Sequence, residues 1–378
     1  MKKIILLLIL LCMPITAFAE ELIPNAKSGI LIEANSGKII YEKNINDELS
    51  VASMTKMVAQ IIILEEIEKG KIKWDDVVTV TKNASDMGGS QIYLETGEKM
   101  TVEDLMKGVS VASGNDATVA LAEYISGSEE NFVKRMNKKI KELGLKHTNF
   151  MNSTGLDEKN HYSSAYDMAM IAKELVVNHP EILRFSSIYE DYLRKDTDNK
   201  FWLVNTNKLI SQYNGTDGLK TGHTDNAGYC LAATVKRDDL RLIGIVLGEE
   251  NSKVRNSETI NLLDYGFNNM KVKTLKKKNS LIKKIYLDKA DKEYINVVLK
   301  DNLVVAEGIN DKNNYKFNIN IDKIKLPIKK NDKLGTIEVL SNNRVVSKDI
   351  LISDTTANKL NLLDLYKRNI FNIISGNI

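Results

Sequence analysis

The chain has 378 residues, of which 43% are hydrophobic and 27% are charged. A chain of this length can bury one large core or two smaller ones, so we expect two domains. Only 4 Pro and 21 Gly exclude a collagen-like or low-complexity protein, and charges of both signs exclude an all-membrane protein. The two cysteines, Cys12 and Cys230, exclude a disulfide scaffold.

Residues 1–19 have the pattern of a signal peptide. Lys2 and Lys3 precede an uncharged stretch of Ile and Leu, and Ala17-Phe18-Ala19 provides a cleavage site before Glu20. A retained signal-anchor helix is the alternative, but the apolar stretch is short. We therefore expect an exported protein that works without cofactors, because ATP and reduced nicotinamide are not available outside the cytoplasm.

The charge is divided unequally between two parts of the chain. Residues 20–270 contain 29 basic and 38 acidic side chains, a balance of −9, whereas residues 271–378 contain 22 basic and 12 acidic, a balance of +10. This asymmetry predicts a domain boundary near residue 270. The tract 271–284 holds seven Lys and is interpreted as a solvated linker or a contact with an anionic surface. A nucleic-acid partner is not expected for an exported chain of nearly neutral total charge.

The pattern of residues 20–270 indicates a mixed α+β domain. Turn residues separate pairs of apolar runs, and longer segments repeat apolar residues at helical spacing. We expect the N-terminal hairpin to join the late strands in one antiparallel sheet flanked by helices. The expected elements are, in chain order, strands 29–33 and 38–41, helices 53–69, 116–125 and 130–143, strands 229–235 and 240–247, and a helix at 257–267.

Residues 275–355 change to a period of two, which predicts a small all-β sandwich domain. Tyr315, Phe317, Ile319 and Ile321 alternate with polar residues, and a hairpin is expected around residues 341–343. No catalytic group of residues is recognised in this segment.

Residues 359–378 are predicted to form an amphipathic helix. Leu363, Tyr366, Ile370, Ile373 and Ile374 fall on one face of a helical wheel. Such a helix can lie in a membrane interface, or it can dock on its own β domain. Amphipathicity alone does not separate the two possibilities.

Ser53-Met54-Thr55-Lys56 is the first of three short motifs that carry chemistry. The i, i+3 spacing at the start of a helix places the serine hydroxyl and the lysine amine on one face. A half-buried lysine can have its pKa lowered enough to deprotonate a serine nucleophile. The motif is weak alone, since residues 280–283 have the same spacing in the Lys-rich tract.

Ser113-Gly114-Asn115 and Lys220-Thr221-Gly222 are the second and third motifs. The former offers a hydroxyl that can relay a proton and an amide that can orient a peptide group. The latter is expected directly before a strand at 223–235, where its cation and hydroxyl can hold a carboxylate and Gly222 lets a substrate backbone approach.

The order Ser-x-x-Lys, Ser-x-Asn, Lys-Thr-Gly is the signature of penicillin-binding proteins and serine β-lactamases. With further strings such as Gly155-Leu156-Asp157 and Asp217-Gly218-Leu219, residues 28–270 closely resemble the exported D-alanyl-D-alanine carboxypeptidases, which are low-molecular-mass penicillin-binding proteins. The resemblance implies a penicillin-binding/β-lactamase-like transpeptidase domain, then a small β domain and a helix that anchors the family to the outer face of the cytoplasmic membrane.

The resemblance also implies a role for each motif residue. Ser53 would attack the carbonyl between the two terminal D-alanines of a peptidoglycan stem peptide, with Lys56 as general base. Ser113 would relay the proton to the leaving D-alanine, and Asn115 would hold the acyl-side amide. β-Lactam antibiotics would stall as acyl-enzymes on Ser53.

Substrate binding is implied for the Lys-Thr-Gly motif and the residue after it. Lys220 and Thr221 would attract the terminal carboxylate beside Gly222, and the backbone N–H groups of Ser53 and His223 would form the oxyanion hole. Enterobacterial members of the family carry an Arg where this chain has Thr206. The substrate carboxylate must therefore rely on Lys220, Thr221 or another group.

Two alternatives to the carboxypeptidase hypothesis stay open. A β-lactamase needs a deacylating Glu followed closely by Asn, and Pro180-Glu181-Ile182-Leu183-Arg184 lacks the Asn. A non-catalytic wall-binding protein would be expected to have lost one of the motif residues. The histidines at 147, 161 and 179 have no metal-ligand spacing, so no metal site is expected.

Overall fold

The computed structural model describes residues 21–311 and 313–374, and the predicted signal peptide lies outside them. The strands are β1 (Ser28–Glu33), β2 (Ile39–Lys43), β3 (Val77–Thr79), β4 (Lys99–Thr101), β5 (Glu190–Leu193), β6 (Phe201–Val204), β7 (Thr216–Thr224), β8 (Gly228–Arg237), β9 (Leu240–Glu249), β10 (Met270–Lys276), β11 (Leu281–Tyr286), β12 (Tyr294–Leu299), β13 (Leu303–Gly308), β14 (Lys316–Ile321), β15 (Lys333–Ser341) and β16 (Arg344–Ser353). The helices are α1 (Lys56–Glu68), α2 (Lys82–Ser85), α3 (Val102–Lys107), α4 (Asn115–Ser126), α5 (Glu129–Glu142), α6 (Ala165–Asn178), α7 (Leu183–Ser186), α8 (Leu209–Gln212), α9 (Ser252–Asn269) and α10 (Leu362–Ile374).

A five-stranded antiparallel sheet with the order β2-β1-β9-β8-β7 forms the centre of the first domain. Ile30 and Ile32 of β1 join the apolar cluster that contains α1 and α6, while Leu31 between them joins the cluster that contains α9. Successive side chains of a strand point to opposite faces, so helices cover both sides of this sheet. The predicted antiparallel sheet flanked by helices, with the N-terminal hairpin beside the late strands, is confirmed.

Helix α1 runs through the middle of this core. All of its first nine residues, 56–64, are buried, including Lys56. A helix that is apolar almost all round is stable only when neighbouring elements surround it. The burial of α1 therefore carries the amine of Lys56 into the interior of the protein.

The second domain is built entirely of strands, as predicted. A five-stranded sheet of order β11-β12-β16-β15-β14 and the β10–β13 pair share one apolar cluster. The Lys-rich tract 271–284 is not a linker, because β10 and β11 occupy most of it. The alternating residues of β14 are also less buried than their period suggests: Phe317 and Ile319 are 43% and 44% exposed because β14 is an edge strand.

In the first domain, three predicted boundaries differ from the structure by three residues or more. Helix α9 begins at Ser252 rather than Ser257, because the Asn251 side chain caps it by accepting from the N–H groups of residues 253 and 254. The Lys-Thr-Gly motif lies inside β7, and a turn at residues 225–227 separates β7 from β8. Ser53 lies in a 3₁₀ turn, Ala52–Thr55, that precedes α1.

Helix α10 follows the β domain. Several apolar side chains of this helix are exposed to solvent, with exposed fractions of 85% at Leu362, 73% at Leu363 and 63% at Ile373. Among residues 21–311 and 313–374, no helix is both long and apolar enough to cross a membrane.

Candidate active site

Ser53 and Lys56 meet at the junction between the 3₁₀ turn and α1. The Nζ atom of Lys56 lies 2.7 Å from Ser53 Oγ. The turn and the helix place the two residues on one face, because side chains three apart on a helix are neighbours. The hydroxyl of Ser53 is half-buried, whereas Lys56 has no exposed surface.

The amine of Lys56 is surrounded by three oxygen atoms. Besides Ser53 Oγ, it contacts Asn115 Oδ1 at 2.6 Å and the Thr154 carbonyl at 2.7 Å. Burial, followed by the positive charge of Lys220, holds the pKa of Lys56 well below its usual range, and Asp116 opposes this shift only in part. A neutral amine has two N–H donors for the amide and carbonyl oxygens, so its lone pair is left for the serine hydroxyl.

The second motif lies at the start of α4, opposite Ser53. A π-helical turn, Gly108–Ala112, ends at Ser113, which has a left-handed φ of 64°. The side chain of Asn115 is held at both ends, since Oδ1 accepts from Lys56 and Nδ2 donates to the Gly88 carbonyl at 2.7 Å. The motif thus orders the lysine amine as well as lining the cleft.

Strand β7 lies at the edge of the sheet and packs against the turn that carries Ser53. A Cβ atom on Gly222 would lie 2.5 Å from the Val51 carbonyl and 3.4 Å from the backbone nitrogen of Ser53, so only glycine allows this close approach. Lys220 is fully buried and donates to the Thr221 carbonyl at 2.9 Å. Burial, followed by the charge of Arg255, lowers the pKa of Lys220 to about 7.

Thr206 contacts the third motif. The Thr221 hydroxyl lies 2.7 Å from the Thr206 hydroxyl. The residues on either side of Thr206 are fully buried asparagines: Asn205 Nδ2 donates to the Ile188 carbonyl at 2.8 Å, and Asn207 Nδ2 donates to the Gly218 carbonyl at 3.1 Å. The two asparagines fix the backbone so that Thr206 faces β7. Its contact with the motif was not foreseen from the sequence.

The predicted site residues are not all joined by direct bonds. Ser53, Lys56 and Asn115 form one hydrogen-bonded group, and Lys220 and Thr221 lie on the strand beside it. The Ser113 side chain is buried, with an exposed fraction of 3%. The His223 side chain is exposed and packs on Tyr229 with ring centroids 4.0 Å apart.

Thr154 and Gly155 are contributors that sequence reasoning missed as site residues. Thr154 acts through its carbonyl, which every residue type possesses, so its identity gave no signal. Gly155 has a φ of 84°, and a Cβ atom there would lie 1.9 Å from the Ala52 carbonyl. A glycine at this position lets the loop approach the turn that carries Ser53.

His161 and Cys230 lie in the packed interior. Burial lowers the pKa of His161 to about 4, and its Nε2 lies 2.9 Å from the Thr55 hydroxyl behind the site. Burial raises the pKa of the Cys230 thiol to about 11, which makes it a poor nucleophile. Across residues 21–311 and 313–374, no group of three or more His, Cys, Asp or Glu has the arrangement of a metal site.

Two family models match separate parts of the chain. The model described as D-alanyl-D-alanine carboxypeptidase matches residues 16–251. The model described as penicillin-binding protein 5, C-terminal domain, matches residues 271–359 and ends before α10.

Individual relatives are similar over nearly the whole chain. D-alanyl-D-alanine carboxypeptidase DacF of Bacillus subtilis is 46% identical over 351 residues, covering 92% of this chain and 90% of that protein. Penicillin-binding protein 5 of Haemophilus influenzae is similar in structure, with a TM-score of 0.66, 31% identity and coverage of 89% and 98%. An ampicillin-bound penicillin-binding protein D2 of Listeria monocytogenes covers 64% of this chain and 98% of its own, with a TM-score of 0.58 and 30% identity. The chain therefore belongs to the D-alanyl-D-alanine carboxypeptidase family and is a serine peptidase of the penicillin-binding type.

Proposed function

We propose that this carboxypeptidase removes the terminal D-alanine of a peptidoglycan stem pentapeptide through an acyl-enzyme on Ser53. The observation that carries the proposal is the 2.7 Å separation of the Lys56 amine and the Ser53 hydroxyl in a buried environment. The lowered pKa of Lys56 supports a neutral amine that can take the hydroxyl proton.

Acylation then needs two proton transfers, one from the Ser53 hydroxyl and one to the leaving nitrogen. Ser53 Oγ bonds to the carbonyl carbon between the two D-alanines as its proton passes to Lys56. The bond to the terminal D-alanine nitrogen breaks, and that nitrogen takes a proton through Ser113. Asn115 orients the acyl-side amide. Free D-alanine leaves, and an ester on Ser53 remains.

Two sets of groups would stabilise negative charge on the substrate, one at the oxyanion and one at the terminal carboxylate. Backbone N–H groups of Ser53 and His223 would form the oxyanion hole, which is worth about 3 kcal/mol per donor. The terminal carboxylate would bind Lys220 and Thr221, with the Thr206 hydroxyl adjacent, while Gly222 leaves room for the substrate backbone. Water hydrolyses the ester. A ring-opened penicillin stalls at this stage, because its leaving group stays attached.

Release of D-alanine tests this function most simply. Purified residues 20–378 are incubated with a pentapeptide ending in D-Ala-D-Ala, and in parallel with penicillin. We expect D-alanine release with negligible penicillin turnover. Fast penicillin hydrolysis without peptide cleavage would instead indicate a β-lactamase. The absence of both reactions would indicate a wall-binding protein.

We also propose where the enzyme works. The predicted signal peptide supports export, and the exposed apolar face of α10 supports attachment to the outer face of the cytoplasmic membrane. The positive balance of residues 271–378 would strengthen binding to anionic lipids, by about 1 kcal/mol for each well-placed Lys.

A further inference from the structure

Residues 88–94 form a strap across the amino end of α4, beside the active site. Asn115 binds two carbonyl groups of this strap: Nδ2 donates to Gly88 at 2.7 Å, and the backbone N–H donates to Ser90 at 2.7 Å. The residue that contacts the Lys56 amine thus also positions the strap. The strap has a fixed place relative to the reacting groups.

Tyr93 is the large side chain of the strap that is exposed to solvent. Asp116 accepts from the N–H groups of Ile92 and Leu94 at 3.0 Å, and both of these side chains are buried. Tyr93, which lies between them, is 68% exposed and has a φ of 56°. Bulky residues rarely adopt this left-handed conformation, and it persists only where surrounding contacts impose it.

Arg194 stabilises this conformation of Tyr93. It directly follows β5, in the hairpin that β5 forms with β6. Its guanidinium donates to the carbonyls of Ile92 and Tyr93 at 3.1 and 3.3 Å, and it binds both oxygens of Glu98 at 2.6 and 3.0 Å. Phe201 meets Tyr93 nearly edge to face, with centroids 5.6 Å apart and planes at 72°. A contact of this type covers at most one face of the Tyr93 ring, so another face is open.

A cavity of about 700 Å³ adjoins this ring. Its lining combines Tyr93 and Phe201 with the hydroxyl of Thr101, the amide of Asn199 and the amine of Lys200. Aromatic faces among hydrogen-bonding groups suit a sugar, which presents C–H groups on its ring face and hydroxyls or amides at its edge.

The strap ties Tyr93 to the active site over a short stretch of chain, because Asn115, which contacts the Lys56 amine, binds the Ser90 carbonyl. Tyr93 is three residues from Ser90, which an extended chain spans in at most about 11 Å. Four residues of the stem peptide separate the cleaved bond from the amino sugar, about 14 Å when extended. We propose that Tyr93 and Phe201 form a subsite for the amino sugar that carries the stem peptide. This inference rests on the proposed function, because it takes the peptide end of the same substrate to lie at Ser53.

Two substrates and three variants test the subsite. The full mature chain is assayed on a free pentapeptide and on the same pentapeptide attached to its disaccharide. Tyr93→Ala removes the ring, and Tyr93→Phe keeps it. Tyr286→Ala is the matched control, since Tyr286 is 72% exposed and contacts one neighbouring ring at 5.9 Å in the β domain.

We expect Tyr93→Ala to lower kcat/KM for the disaccharide substrate by about three- to tenfold and to leave the free peptide unchanged. Tyr93→Phe and Tyr286→Ala should match the wild type on both substrates. An equal loss on the two substrates, or no loss on either, overturns the subsite. Failure of the proposed function is distinguishable, because it would appear in the wild type as no D-alanine release from the free peptide.

Discussion

The Lys56 amine lies 2.7 Å from the Ser53 hydroxyl although Lys56 has no exposed surface. Burial, followed by the charge of Lys220, lowers the pKa of Lys56, which favours the neutral amine. The rate of acylation by penicillin should therefore rise with pH as Lys56 loses its proton and then level off.

Lys56→Gln should slow this acylation by about 10²- to 10⁴-fold, because the general base is lost. Lys283→Gln is the matched control, since Lys283 has the same spacing from Ser280 but is exposed on β11. Stopped-flow acylation kinetics across pH measure both variants. Equal rates for Lys56→Gln and the wild type would rule out Lys56 as the base.

Lys220 should make carboxylate recognition dependent on pH. Its pKa is about 7 in the free enzyme, so its charge is present below pH 7 and is lost above it. The ratio of kcat/KM for a D-Ala-D-Ala peptide to kcat/KM for its C-terminal amide should fall as pH rises from about 6 to about 9. The ratio cancels the titration of Lys56, which acts on both substrates.

Lys220→Gln should reduce this ratio and remove its dependence on pH. The amide substrate should lose little from the substitution. A ratio that stays flat in the wild type, or an equal loss on both substrates, would show that Lys220 does not contact the carboxylate.

The raised pKa of Glu249 predicts that the free energy of unfolding falls as the pH rises. Burial, followed by the interaction with the Glu258 carboxyl group, raises the pKa of Glu249 to about 8. The protonated form is favoured in the folded state. The stabilisation of the folded state by this protonated carboxyl is complete below the ordinary pKa of 4.5 and is lost progressively as the pH rises through 8.

Glu249→Gln should therefore raise the free energy of unfolding by about 1–2 kcal/mol at pH 8 and change it little at pH 5. Urea denaturation at the two pH values measures the difference. The partner Glu258 accepts from the backbone of Asn25 and Ala26, so Glu258→Gln is the informative contrast: it should destabilise the N-terminal segment at both pH values. A Glu249→Gln effect that is the same at both pH values would contradict this account.

The sequence predicted those parts of the site that depend on side-chain identity. The three motifs name Ser53, Lys56, Asn115 and Lys220 because hydroxyl, amine and amide groups are visible in the amino-acid code. The Thr154 carbonyl was not predictable, since any residue could supply it. Its contact with Lys56 depends on a loop about a hundred positions away.

The fold was predictable where hydrophobic periodicity is strong, as in β1, β8, β9 and α5. It was less predictable where local composition disagrees with tertiary pairing. The Lys-rich tract reads as a linker, yet β10 forms because it pairs with β13 and adds to the apolar cluster of the β domain. The start of α9 depends on one capping side chain, Asn251, which periodicity does not detect.

Helix α10 should hold the mature enzyme on anionic membranes. Burying its apolar face in the interface would contribute several kcal/mol at about 25 cal/mol per Å². Deletion of residues 359–378, or Ile373→Asp on the exposed apolar face, should abolish flotation with anionic vesicles at low salt. Activity on short peptides should not change. If the full mature chain and the deletion both stay in the soluble fraction, the attachment proposal is wrong.

Site mapping of labelled penicillin tests the central claim most directly. The purified mature chain is saturated with the label, digested and sequenced by mass spectrometry, alongside Ser53→Ala and the control Ser280→Ala. We predict that the label is on Ser53, that Ser53→Ala takes up none while its thermal melt is nearly unchanged, and that Ser280→Ala is labelled like the wild type. Label that persists in Ser53→Ala would place the nucleophile elsewhere and contradict the account.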